Sequence, residues 1–125
     1  MPRSNPEGPV VRSRQERIDD VNEAIASAVL ARHTLSQIRI KSLTNLDRWK
    51  EKGSWCAEYD EWETIIVNGS EEDLIAAMTD DQHRYVHLRR FAPYRGILDE
   101  RLRQAIWNDV VSRNKFEPMR ATHSV

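Results

Sequence analysis

The sequence predicts an all-α protein, a small bundle of about five helices with a disordered N-terminal arm and a frayed C-terminal tail. Apolar residues recur at helical spacing over most of the chain, and no segment alternates apolar and polar residues as a half-buried strand does. Only 4 glycines are available for tight turns. The length of 125 residues suits one domain.

Proline and glycine divide this domain from its ends. Three of the 5 prolines lie within residues 1–9, whereas residues 10–52 contain neither proline nor glycine. The segment after Asn114 contains Pro118 and no further apolar periodicity. We therefore predict a disordered arm at 1–11, a helical domain at 12–113 and a flexible tail at 114–125.

Residues 12–52 can form two helices or one continuous helix. One helix of this length would be roughly 60 Å long, which exceeds a compact domain of this size. Thr34-Leu35-Ser36-Gln37 matches a capping box, in which the first and fourth residues cap a helix start reciprocally. We predict helices at about 12–32 and 35–52, and one continuous helix stays the alternative.

The remaining helices are delimited by glycine, proline and helix-capping residues. Gly53 predicts the end of the second helix, and Ser54 predicts the N-cap of the third. The third helix carries an apolar face and ends at Asn68-Gly69; the face comprises Trp55, Tyr59, Trp62, Ile65 and Ile66. Later helices are predicted at 70–78, 80–91 and 98–113, with a turn at 92–96. The inner stripe of the last helix comprises Leu98, Leu102, Ala105, Ile106, Asp109 and Val110.

Charge is segregated along the chain, although the net charge is only −1. A first basic block (residues 31–52) and a second basic block (residues 82–103) flank an acidic block (residues 57–81) that contains no lysine or arginine. The simplest interpretation is that the blocks pack together and neutralise one another. Alternatively, a basic face is open to phosphates, or the acidic face binds a basic protein.

Several function classes find no support in the sequence. Phosphate-binding glycine loops, zinc-protease motifs and nucleophile elbows are absent. The one cysteine, Cys56, has no second cysteine for an intramolecular disulfide, and no apolar run approaches the roughly 18 residues of a membrane span. The N-terminus lacks the apolar region of a secretory signal, so we expect a cytoplasmic protein. We predict no catalytic, cofactor or metal-binding residues and no enzyme activity.

The leading functional prediction is a non-enzymatic accessory protein that binds another protein, as an antitoxin, inhibitor or adaptor does. Trp62 and Tyr94 are candidate aromatic anchors, because large aromatic residues are enriched at binding hot spots. Glu58 and Glu61 are the candidate acidic contacts. A homodimer is also plausible, because association would hide a second apolar stripe of the early helices.

The alternative prediction is a small nucleic-acid-binding regulator that uses the two basic blocks. Its cations would neutralise phosphates, and its binding would weaken steeply with salt. The candidate residues are Arg39, Lys41, Arg48, Lys50, Lys52, Arg84, Arg89 and Arg90.

Part of the chain resembles a group of small uncharacterised bacterial proteins found in plasmid, mobile-element and toxin–antitoxin-type contexts. The resemblance covers roughly residues 24–99. It rests on Thr34–Arg39, Asn45–Trp49, Trp55, Tyr59–Trp62, Gly69-Ser70, Met78-Thr79, Leu88-Arg89 and Pro93–Leu98. It implies an accessory, antitoxin-like role and carries no catalytic residues over to this chain. The stretch from Tyr85 to Ala92 departs from the more polar pattern of that group.

Overall fold

The structure, a computed structural model, describes residues 13–123, with side chains described from 13 to 113. The predicted arm at 1–11 lies outside the described residues. Six helices and no strand occupy the described part, which confirms the all-α class. The helices are α1 (Arg14–Arg32), α2 (Leu35–Glu51), α3 (Ala57–Asn68), α4 (Glu71–Thr79), α5 (His83–Arg89) and α6 (Glu100–His123).

The helix is interrupted at His33, between α1 and α2. The prediction of two helices is therefore confirmed, and the alternative of one continuous helix is wrong. Thr34 Oγ1 accepts from the Gln37 N–H at 3.1 Å, and the Gln37 side chain accepts from the Thr34 N–H at 2.9 Å. This reciprocal cap satisfies amides that a helix start leaves unpaired. Gly53 follows α2 with a φ of 75°, a left-handed conformation that favours glycine.

The start of α3 differs from the prediction. Ser54 is not the N-cap; Cys56 is, and its side chain makes no capping hydrogen bond. Trp55 therefore precedes the helix instead of lying on its apolar face. Its indole N–H donates to Asp60 Oδ1 at 2.8 Å, and its ring lies 5.5 Å from that of Tyr59. These side-chain contacts with the first turns of α3 place the helix start later than the local sequence indicates.

The next two helices begin near the predicted positions. Ser70 caps α4 in a capping box with Asp73. α5 is shorter than the predicted 80–91 helix, because it begins at His83 and ends at Arg89. At its end, the C-cap Arg90 N–H donates to His87 O, and the Phe91 N–H donates to Leu88 O, so the α-helical pattern gives way to a tighter turn. The predicted turn is present, and Gly96 adopts a φ of 86°.

α6 begins after Asp99, whose carboxylate accepts from the Leu102 N–H at 2.9 Å. Its backbone stays helical beyond residue 113, where the sequence predicted a flexible tail. The inner stripe is narrower than predicted, because Ala105 and Asp109 are exposed. The buried or half-buried positions of that stripe within the helix are Leu102, Ile106 and Val110.

α1 packs against α4, α5 and α6, whereas α2 packs against α3. The core between them comprises Ala26, Val29, Ile38, Trp62, Ile66, Leu74, Ala77, Met78, Leu88, Tyr94 and Leu98. Five helices, α1 to α5, and the turn after α5 contribute residues to this core. The turn also forms one wall of the cavity described below.

Candidate functional site

The Arg39 guanidinium lies against the carboxyl end of α3. Its Nη1 donates to the carbonyl oxygens of Ile65, at 3.4 Å, and Ile66. Its Nη2 donates to Gly69 O at 3.1 Å and Ser70 O at 3.3 Å. The last carbonyls of a helix lack intrahelical partners and carry partial negative charge, so Arg39 caps α3 from a neighbouring helix. This residue, nominated above for nucleic acid, is engaged within the fold.

The other nominated cations of the first basic block lie along α2. Lys50 Nζ pairs with Glu63 Oε2 at 3.0 Å and lies 4.7 Å from the ring centre of Trp55. Arg48 Nη2 donates to Asn45 Oδ1 at 2.9 Å. Within the described residues, the nominated cations without a hydrogen-bond or ion-pair partner are Lys41 and Lys52. This block is therefore only partly free for phosphates.

The acidic side chains nominated for a protein partner face α5. Glu61 Oε2 pairs with Arg84 Nη2 at 2.9 Å, and Glu58 Oε2 lies 2.8 Å from His87 Nε2. The hydrogen bond with His87 lowers the pKa of Glu58 below its usual value. The simplest interpretation of the charge blocks thus holds in part for this pair of helices, because Arg84 of α5 neutralises Glu61 of α3.

The second basic block also ties α5 to α1. Arg90 Nε and Nη2 donate to Asp19 Oδ1 and Oδ2, each at 3.0 Å. Burial opposes ionisation of Asp19, but hydrogen bonds from Arg90 and Gln15 outweigh it, so the pKa of Asp19 lies below its usual value of 3.8. The Asp19–Arg90 pair is two-pronged and more buried than the other ion pairs of the described residues.

We expect Asp19→Asn to lower the free energy of unfolding by about 1–2 kcal/mol at neutral pH, because a charge-assisted pair is lost. Because the pKa of Asp19 is lower in the folded state, its ionisation stabilises the fold at pH values above the unfolded-state pKa of 3.8. This stabilisation is lost as the pH falls through the folded-state pKa. Urea unfolding should therefore show the difference in free energy of unfolding between wild type and variant shrinking as the pH falls below 3.8 and through the folded-state pKa. A difference independent of pH would contradict this account.

Trp62 and Tyr94, the predicted anchors for a protein partner, lie in the core instead of on the surface. The Trp62 indole N–H donates to Leu88 O at 2.8 Å, and its ring packs edge-on against that of Tyr94 at 5.9 Å. The prediction that they are binding anchors, which rested on the enrichment of aromatic residues at binding hot spots, is therefore not supported by their burial. Neither side chain is accessible to a partner in this fold.

Half-buried aromatic rings surround the start of α3. Tyr59 lies 4.9 Å from Trp49, 5.5 Å from Trp55 and 6.1 Å from Phe91 between ring centres. Burial raises the pKa of the Tyr59 hydroxyl. No signal in the sequence predicted this grouping, which links α2, α3 and the residues after α5.

The outward side of α4 combines acidic and apolar groups. Ile75 is 40% exposed, although it is a large apolar residue. Glu71 and Thr79 lie four residues before and after it, and Glu72 lies three residues before, so all four share one side of the helix. No described residue pairs with either glutamate. We call these four residues the α4 face.

A cavity of about 300 Å³ lies between α1, the turn after α5 and the start of α6. Two of its lining side chains are buried and carry polar atoms without a hydrogen-bond partner, the Nε of Arg89 and the hydroxyl of Tyr94. From the sequence, Arg89 was predicted to bind nucleic acid and Tyr94 to bind a protein partner. Helical spacing could not predict that they lie close together, because Arg89 ends α5 and Tyr94 lies in the turn after it.

Comparisons with known proteins found no matching protein-family model, no similar curated protein and no similar solved structure. Among the described residues, none of the helices has the length and apolarity to cross a membrane. That part of the chain also holds no group of three histidine, cysteine or acidic side chains placed to bind a metal ion.

Proposed function

We propose that this chain is a non-enzymatic accessory protein that binds a basic protein segment on its α4 face. The observation that supports this proposal is an exposed isoleucine on the same side of the helix as two glutamates that no described residue neutralises. Protein interfaces typically have an apolar centre and a polar rim, and here Ile75 would supply the centre and the two glutamates the rim. An antitoxin, inhibitor or adaptor would act in this way, and a reducing cytoplasmic compartment suits a single free cysteine.

The chemistry of the partner follows from the charges on this face. Glu71 and Glu72 attract lysine or arginine, while Ile75 offers an apolar contact. An amphipathic basic helix supplies both groups at matching spacing. α4 contains 9 residues and is thus about 13 Å long, so its face is smaller than a standard interface. We expect weak, transient binding, with a dissociation constant of about 10–100 µM.

We expect a synthetic amphipathic peptide with lysines and arginines on one side and leucines on the other to bind the full chain. Ile75→Ser should weaken binding about 5-fold or more through lost apolar contact, and Glu71→Gln with Glu72→Gln should weaken binding and flatten its salt dependence. Fluorescence anisotropy of a labelled peptide measures both effects. The same peptide with glutamate at every basic position serves as the charge control.

Matched variants on α2 test whether the effect belongs to this face. Ile40→Ser removes an isoleucine that is 63% exposed, and Asp47→Asn with Glu51→Gln removes two exposed acids. Neither should change peptide binding by more than about 2-fold, because both lie outside the α4 face. Equal losses in the α2 and α4 variants would mean non-specific attraction and would overturn the proposal.

The nucleic-acid alternative is less favoured, because Arg39, Arg89 and Arg90 are engaged or buried within the fold. A nucleic-acid interface would rely on Lys41, on Lys52 and on surface cations whose ion pairs with carboxylates are weak enough to be replaced by contacts with phosphate. Binding to a DNA duplex taken from upstream of the gene, at about 50 and 200 mM salt, tests it against a scrambled duplex. Sequence-selective, salt-dependent binding without any peptide binding would reverse our preference.

A further inference from the structure

The imidazole of His87 lies between two contacts that attach the end of α5 to its neighbours. Its Nε2 lies 2.8 Å from Glu58 Oε2 on α3, and its Nδ1 lies 3.5 Å from Nη1 of Arg90, the C-cap of α5. The same guanidinium binds Asp19 of α1 through Nε and Nη2, each at 3.0 Å. One ring therefore connects the α3 contact of α5 with the α1 contact.

The two partners of the ring determine where its hydrogen lies when His87 is neutral. A guanidinium keeps its protons and only donates hydrogen bonds, so Nδ1 of His87 accepts from Arg90. The hydrogen of the neutral ring is then on Nε2, and this N–H donates to the Glu58 carboxylate. The neutral ring thus satisfies both partners at once.

Protonation of the ring changes the two contacts in opposite directions. Nδ1 gains a hydrogen and no longer accepts from Arg90, and two positive groups then face each other across 3.5 Å. The contact with Glu58 becomes an ion pair of opposite charges, which strengthens the hydrogen bond. A proton on His87 therefore favours the contact with α3 and opposes the contact with the guanidinium that holds α1.

The other side chains in contact with this ring or its guanidinium keep their charge at neutral pH. Burial raises the pKa of Asp19, but its hydrogen bonds outweigh burial and lower the pKa overall. Hydrogen bonds with His87 and with the Cys56 thiol lower the pKa of Glu58, and the hydrogen bond with Asp19 raises the pKa of Arg90. Histidine changes its charge between about pH 5 and pH 8, and His87 is 40% exposed, so protons reach it from water.

Two further titratable side chains of α5 lie about one turn before His87. Arg84 pairs with Glu61 of α3 at 2.9 Å. His83 is exposed, and it has no hydrogen-bond or ion-pair partner in the described part of the chain. Neither of them contacts the Arg90 guanidinium, so a change at that guanidinium in the neutral pH range reports on His87.

We propose that His87 makes the junction of α1 with α5 pH-dependent, so that the junction is closed when the ring is neutral and loosened when the ring is protonated. The neutral ring supports the guanidinium that binds Asp19, whereas the protonated ring repels this guanidinium and stays with Glu58. Acid thus shifts the attachment of α5 from α1 toward α3. This junction does not include the α4 face, so its pH dependence does not depend on the proposed protein partner.

The experiment is backbone amide hydrogen exchange of the full chain, measured by nuclear magnetic resonance at about pH 8 and about pH 5. Each exchange rate is divided by the rate of an unfolded amide at the same pH, and the protection of α1 is then expressed relative to that of α3. This ratio removes any change in global stability that both helices share. We expect the ratio to fall by about 3- to 10-fold from the higher to the lower pH, the effect of one weakened hydrogen bond. A constant ratio would overturn the proposal.

Two matched variants of α5 assign the effect to one histidine. His87→Asn keeps an oxygen acceptor near the position of Nδ1 but does not titrate, so the ratio should change by less than about 2-fold between the two pH values. His83→Asn makes the same substitution on an exposed residue without a described partner, and it should retain the fall seen in wild type. A fall that persists in His87→Asn, or that disappears in His83→Asn, would overturn the assignment.

A third variant keeps the outcome interpretable if His87→Asn does not fold. Glu58→Gln removes the carboxylate that stabilises the protonated ring, so the fall in the ratio should begin at lower pH than in wild type. Exchange measured at intermediate pH values gives the midpoint of the fall in both proteins. An unchanged midpoint would mean that another group titrates, and it would contradict the proposal.

Discussion

Trp62→Ala should lower the free energy of unfolding by about 3–5 kcal/mol, the largest effect that we expect from any single substitution in this chain. Trp62 is the largest fully buried side chain, and its indole N–H donates to Leu88 O at 2.8 Å. Alanine would leave a cavity at the centre of the core and a buried carbonyl without its donor. Urea unfolding followed by circular dichroism measures the loss.

Two variants separate the parts of this effect. Trp62→Phe keeps most of the ring but loses the hydrogen bond to Leu88, and it should cost less than the alanine variant, about 1–3 kcal/mol. Trp107, on α6, is 41% exposed, and Trp107→Ala should cost less than about 1 kcal/mol. If Trp62→Ala were as stable as Trp107→Ala and lost only a binding partner, Trp62 would be the exposed anchor that the sequence first suggested.

Local signals in the sequence predicted most of the fold. The capping boxes of α2 and α4 each lie within four consecutive residues, from Thr34 to Gln37 and from Ser70 to Asp73. Their hydrogen bonds form within the segment that contains them, so the sequence alone specifies both helix starts. The start of α3 was missed, because Trp55 makes side-chain contacts that no capping motif describes.

The candidate sites were predicted poorly, because they depend on contacts between distant segments. Asp19 and Arg90 are 71 positions apart, and no periodicity signals their pairing. Likewise, the spacing of Trp62 placed it on the apolar face of α3, but spacing alone did not separate a core residue from a binding anchor. Helical periodicity identifies an apolar face, but it does not state whether this chain or a partner covers that face.

Arg39→Met should lower the free energy of unfolding by about 1.5–3 kcal/mol, because the guanidinium makes charge-assisted hydrogen bonds to the end of α3. Its donors contact four carbonyl oxygens, those of Ile65, Ile66, Gly69 and Ser70. Methionine retains much of the stem packing and removes every donor. Urea unfolding gives the total cost, and amide hydrogen exchange in α3 and the loop after it should show where the loss is concentrated.

Arg39→Lys distinguishes the capping geometry from charge alone. Lysine keeps the positive charge at the negative end of α3 but lacks the planar guanidinium that reaches both pairs of carbonyls. The stability of the Arg39→Lys variant should therefore lie between those of wild type and Arg39→Met. Arg48→Met is the matched control on the same helix, since Arg48 is exposed and its side chain makes one hydrogen bond among the described residues, to Asn45. If Arg39→Met and Arg48→Met were equally stable and both lost affinity for a DNA duplex, Arg39 would serve phosphates and not α3. We expect the opposite, because a guanidinium that already donates to four carbonyl oxygens would have to give up those bonds to reach a phosphate.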